Sequence, residues 1–124
     1  MAQINNGRMA FEQLKPHFNP HSEEFWLLSL DTQLYRLNTT LISRGTLNFC
    51  FAHPRDVFRQ AMVDNAFQII IAHNHPSQHL APTLADIKLT KRLAKISKLV
   101  EIPIIDHLIF SAAHYFSFKE NNLI

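Results

Sequence analysis

The hydrophobic positions of this chain follow two rhythms, and their alternation predicts its elements. Phe25–Asp31 reads Phe-Trp-Leu-Leu-Ser-Leu-Asp, a dense apolar run of the kind expected for a strand buried on both faces. Asp31-Thr32-Gln33 suits a turn, and Leu34–Leu37 and Thr39–Arg44, rich in β-branched and bulky residues, predict further strands. Gly45 and Asn48 mark a bend or bulge there. Pro54 opens a helix over about Arg55–Asn65, with Val57, Ala61 and Met62 on one face. Phe67–Ala72 is a short, wholly apolar strand, and His73–Ala81 a loop. Pro82 and Thr83 begin a second helix, in which Leu89, Leu93, Ile96 and Val100 recur at helical spacing. Ile102–Phe110 and His114–Phe118 close the chain as strands. Near the start, Ala10, Phe11 and Leu14 form one face of a short helix that Pro16 ends. Strands, helix, strand, helix and strands in this order predict an α/β (α+β layered) domain, a mixed β-sheet with helices packed on it.

At 124 residues the chain makes one domain, large enough to bury a core without staples. Residues 1–21 are read as an N-terminal extension of the domain that follows. Hydrophobic residues at 47% and charged residues at 18% exclude wholesale disorder. A formal net charge of +2 does not by itself point to nucleic acid or to a membrane surface. Lys88, Lys91, Arg92, Lys95 and Lys98 form a basic run, read as the solvated face of the second long helix. The single cysteine, Cys50, excludes an intrachain disulfide and any zinc site of paired thiolates, and it suits a reducing compartment. No signal peptide is read in Met1–Phe11, and no apolar run approaches the roughly 20 residues of a membrane span. The expected location is cytoplasmic.

Candidate chemistry centres on His73 and His75. Residues two apart in extended backbone point the same way, so both imidazoles project together from the end of a buried strand. Imidazole is a common zinc ligand, and Asp86, in the first turn of the next helix, can fold back to supply a third. Two histidines and a carboxylate leave a coordination position for water, the arrangement of a catalytic Zn²⁺. Asp86 has a competing structural role, because Thr83-Leu84-Ala85-Asp86 reads as a capping box.

The wider pattern resembles the bacterial RadC-like branch of the JAMM/MPN metalloprotease superfamily. It is carried by His73-Asn74-His75-Pro76-Ser77, by Pro82-Thr83-Leu84-Ala85-Asp86 and by Leu89-Thr90, with the superfamily's ten residues between His-x-His and Asp filled by positions 76–85. Gly45-Thr46-Leu47-Asn48, His53–Phe58, Ile102–Ile109 and Tyr115–Phe118 flank it in the same order, so the resemblance covers residues 22–124. It implies a JAB/MPN (cytidine-deaminase-like) architecture without the N-terminal helix-hairpin-helix region of longer members. It also implies a glutamate on an early strand as general acid/base. Glu24, followed by Phe25, is favoured for that place, with Glu23 the neighbouring alternative; adjacent strand residues face opposite ways, so one alone points into the site. Thr83 stands where the family usually has an oxyanion-stabilising serine, Gln78 where it usually has glycine, and Asp56 where it usually has glutamate. Asn74 and Ser77 are candidates for hydrogen bonds behind the ligands. Asp106 and His107 are family features to which no role is assigned. His17, His21, His53, His79 and His114 lack partners at ligand spacing.

The function these residues imply is a zinc-dependent hydrolase of amide bonds acting on a peptide or isopeptide substrate. A DNA-associated accessory protein, after the family's DNA-repair label, and a catalytically idle binding module are the alternatives. A nucleobase deaminase is excluded, since it needs His-x-Glu and Pro-Cys-x-x-Cys.

Overall fold

The computed structural model describes residues 3–45 and 52–124. Asn48 and Cys50, assigned above to a bend and to a core or strand-end position, lie outside them. The elements run α1 (Gly7–Leu14), β1 (Glu24–Leu30), β2 (Arg36–Arg44), α2 (Pro54–Val63), β3 (Gln68–Asn74), α3 (Leu84–Val100), β4 (Ile104–Phe110) and β5 (Tyr115–Ser117). The five strands form one mixed sheet in the order β2-β1-β3-β4-β5. β3 and β4 are parallel, joined by the crossover through α3, and every other neighbouring pair is antiparallel.

Both faces of this sheet are covered, which accounts for the unbroken apolar run in β1. Trp26, Leu28 and Leu30 point to one face, where they meet Ile70, Ala72, Leu108 and Phe110 and the Ala10, Phe11 and Leu14 side of α1. Phe25 and Leu27 point to the other, where they meet Ile69, Ile71, Leu93, Val57, Phe58 and Ala61 beneath α2 and α3. The molecule is thus a layered α+β fold with α1 on one side of the sheet and α2 and α3 on the other. No helix among the described residues is long and apolar enough to cross a membrane.

The ends of the helices follow from local chemistry. Asn6 caps α1 by accepting from the Met9 amide, and the helix stops before Pro16, as predicted. His53 caps α2 through Nδ1, with Pro54 in the first turn, where a missing N–H costs nothing. The basic residues of α3 are all exposed, as a solvated face requires.

Four sequence expectations are corrected. The two strands expected at Leu34–Leu37 and Thr39–Arg44 are one strand, Arg36–Arg44, because the ladder to β1 runs on through Asn38, paired with Ser29. Asn38 keeps its place by donating to Asp64 at 3.0 Å. Met62 faces solvent, and Phe58 takes its expected place beside Val57 and Ala61. Phe67 is exposed and outside β3, whose pairing with β4 carries it two residues further, so His73 and Asn74 belong to the strand and not to the loop.

Candidate metal centre

His73 is the register partner of Phe25 on β1, and it shares the α2/α3 face with Ile69 and Ile71. Its ring stacks on Phe25 at 6.1 Å between centroids, nearly parallel at 7°. His75 follows just past the strand, and the first turn of α3 returns Asp86 to both. His73 Nε2 stands 3.0 Å from His75 Nε2 and 3.0 Å from Asp86 Oδ1, and His75 Nε2 is 3.5 Å from Asp86 Oδ2. Donors arranged tetrahedrally around an ion at the 2.0–2.1 Å of zinc–nitrogen bonds would stand about 3.3 Å apart. The donor set and its spacing therefore fit a small divalent cation of that kind.

Asp86 stands both beside the two histidines and in the cap of α3. Its Oδ2 accepts from the Thr83 amide at 2.8 Å, and Thr83 Oγ1 accepts from the Asp86 amide at 3.1 Å, a complete capping box. The box fixes the carboxylate's position at the helix start, so the local motif that competes with the ligand reading also turns the carboxylate toward the histidines. Burial pushes the Asp86 carboxyl up, but the adjacent His73 and His75 rings, which bond it when protonated at Nε2, outweigh this and hold it well below the usual carboxylate range. The same bond to Asp86 raises the His75 imidazole above its ordinary value. Thr83→Ala is expected to cost about 1 kcal/mol of stability in denaturant unfolding, and Thr83→Ser to restore it.

The loop between the histidines and α3 orients His75. His75 Nδ1 donates to the His79 carbonyl at 2.6 Å, which leaves Nε2 of the neutral ring as a lone pair toward the centre. His79 thus acts through its backbone. Ser77 Oγ accepts from the His79 amide at 3.5 Å, within the same loop. Gln78 sits at φ 67°, in the left-handed region, and its amide closes the turn onto the His75 carbonyl at 2.9 Å. A residue with a Cβ is disfavoured there by roughly 1–2 kcal/mol, a physical reason for the glycine usual at this position in the resembling family. Gln78→Gly is expected to raise stability by up to about 1 kcal/mol, read as a higher midpoint in urea.

The glutamates are exchanged relative to expectation. Glu24, the residue favoured above, is fully buried on the sheet face opposite the histidines. Its Oε1 accepts from the Asn19 amide and from Trp26 Nε1, and its Oε2 accepts from Arg44 at 2.7 Å. Glu23, one residue earlier, faces the other way: a carboxylate oxygen of Glu23 and a ring nitrogen each of His73 and His75 lie within 4.8 Å of one another. Register decides this, because pairing of Phe25 with His73 puts odd-numbered residues of this segment on the histidine side. Asn74 locks the arrangement from the opposite face. It accepts from the Glu24 amide at 2.8 Å and donates to the Ser22 carbonyl at 2.8 Å. The residue between the two histidines therefore clamps the segment that carries Glu23.

The sequence left Asp106 and His107 without roles. Asp106 lies on the α1 face and accepts from Ser117 Oγ, the Lys119 amide and the His107 amide at 2.6–3.0 Å, tying β4 to the turn after β5. Burial raises its carboxyl above the usual range. His107 lies on the other face, with Nε2 at 2.9 Å from His73 Nδ1.

A family model described as a RadC-like JAB domain matches residues 4–123. Similar proteins include a UPF0758 protein of Thermosynechococcus vestitus, 44% identical over 99 residues, which are 80% of this chain and 40% of that protein. A UPF0758 protein of Finegoldia magna is 45% identical over 98 residues, 79% of this chain and 44% of its own. One of Aquifex aeolicus is 37% identical over 121 residues, 98% of this chain and 52% of its own. The chain thus spans about half, or somewhat less, of the length of these relatives. With the fold, the histidine pair and a match over nearly its whole length in agreement, the chain belongs to the RadC-like JAB domain family.

Proposed function

We propose that this domain is a zinc-dependent amide hydrolase acting on peptide or isopeptide bonds, with His73, His75 and Asp86 as ligands and Glu23 as general acid/base. The observation that carries the reading is the convergence of three donors at 3.0–3.5 Å with a second carboxylate, that of Glu23, beside them. A bound zinc ion supplies a Lewis acid and brings the pKa of its water down toward about 7. Glu23 takes a proton from the attacking water as the amide carbonyl is attacked and returns it to the departing amine. Its place beside the histidines, on the strand face that Glu24 does not share, suits it to this transfer. The Thr83 hydroxyl accepts the Asp86 amide as a cap, and its own proton is available to a developing oxyanion. His73 is almost wholly buried and stacked on Phe25, so its ring is held before any ion arrives.

Elemental analysis after reconstitution, together with cleavage assays on plain and lysine-linked peptides, checks the proposal. One zinc per chain and chelator-sensitive amide cleavage restored by zinc are expected. Protein that refuses zinc would reject the metal centre. Zinc-loaded protein that leaves every amide substrate intact would reject the hydrolase.

A further inference from the structure

We propose that Thr90 and His107 are a positioning pair that holds His73 as its Nδ1–H tautomer, so that Nε2 is the atom offered to the metal. The inference rests on the metal-centre reading above and adds what stands behind it. Three hydrogen bonds form a chain that begins and ends at ligands. His73 Nδ1 is 2.9 Å from His107 Nε2, His107 Nδ1 is 2.5 Å from Thr90 Oγ1, and Thr90 Oγ1 is 2.9 Å from the Asp86 carbonyl oxygen.

Only one order of protons along this chain leaves His73 Nε2 as a lone pair. A carbonyl can only accept, so the Thr90 hydroxyl donates to Asp86. The Thr90 oxygen then accepts from His107 Nδ1–H, and the neutral His107 ring presents Nε2 as an acceptor. That acceptor takes the His73 Nδ1 proton, and every donor in the chain has a partner. The reverse order places a proton on His73 Nε2, directed at Asp86 Oδ1 3.0 Å away, in the space the ion would use. Asp86 enters twice, its carboxylate as a ligand and its carbonyl as the terminus that selects the order.

The surroundings keep His107 in this role. The residue is completely buried, and its ring stacks on Phe118 at 4.4 Å and 18°. Thr90 is buried and held over His107 by α3, whose first turn also carries Asp86. Partners behind metal-bound histidines typically change metal affinity by about 10–100-fold when removed.

The test uses the whole chain, titrated as apoprotein with Zn²⁺ against a chromophoric chelator. Thr90→Val, close in shape but without the hydroxyl, is expected to bind zinc about 10–100-fold more weakly. Thr90→Ser is expected to restore wild-type affinity. Thermal unfolding of the apo forms separates this from general loosening. In zinc-loaded wild-type protein carrying ¹⁵N-histidine, the ring nitrogen shifts are expected to show both His73 and His107 protonated at Nδ1. That measurement does not depend on any variant folding. A proton on Nε2 of His107 in the loaded protein, or unaltered zinc affinity in Thr90→Val, overturns the pairing while leaving the metal centre intact. Wild-type protein that takes up no zinc overturns both.

Discussion

Glu23→Gln is expected to keep one zinc per chain and to lose amide hydrolysis by about 10²–10⁴-fold, the range for removing a general acid/base. The amide keeps the shape of the side chain and cannot accept the proton. His73, His75 and Asp86 still supply three ligands, so metal content separates loss of chemistry from loss of the site. Glu24→Gln is the informative contrast. The Glu24 carboxylate is fully buried, with the Asn19 amide and Trp26 Nε1 at one oxygen and Arg44 at the other. Either orientation of a glutamine amide sets its NH₂ group against donors. The expected cost is about 2–4 kcal/mol of stability, the scale for leaving buried donors without acceptors. At a temperature where both variants are folded, Glu24→Gln should retain most activity and Glu23→Gln almost none. Full activity in Glu23→Gln would reject its assigned role.

The second large effect is stabilisation by zinc. An ion that binds only the folded chain adds about 4 kcal/mol when its free concentration is a thousand times its dissociation constant. For a domain of this size that is a rise in melting temperature on the order of 10–20 °C. Asp86→Ala should abolish the zinc-dependent rise. It should also lower the melting temperature of the metal-free form, since Asp86 accepts from the Thr83 amide at 2.8 Å and closes the capping box. Asp86→Asn retains an acceptor for the cap while giving up the negative charge of the ligand. It is therefore expected to restore part of the metal-free stability without restoring the response to zinc. Calorimetry of each variant with zinc and with chelator reads both effects. A zinc response that survives Asp86→Ala would remove Asp86 from the ligand set.

Much of the architecture was legible because it is written in local periods. The strand at β3, the buried face of α3 and the stop of α1 before Pro16 all follow from residues close together in the chain. The capping box at Thr83 and Asp86 was legible for the same reason. The misreadings fall where a longer-range partner decides. Asn38 looks like a strand breaker until its bond to Asp64 is seen, and His73 looks like the start of a loop until β4 is seen to pair with it.

The amino-acid sequence by itself determined that two histidines share one side of a strand end and that an aspartate lies in the first turn of the next helix, after ten intervening residues. It also determined that strands and helices alternate into one layered sheet. Only the tertiary structure decided which glutamate meets the histidines. In β1 both faces are buried, so the alternation of polar and apolar residues that normally reveals orientation is erased. Cross-strand register, Phe25 opposite His73, supplies the missing information and turns Glu24 toward Arg44 and Glu23 toward the centre. The same holds for His107. Nothing in its sequence neighbourhood links it to His73, 34 positions away, and the parallel pairing of β3 with β4 beneath α3 brings their ring nitrogens to 2.9 Å.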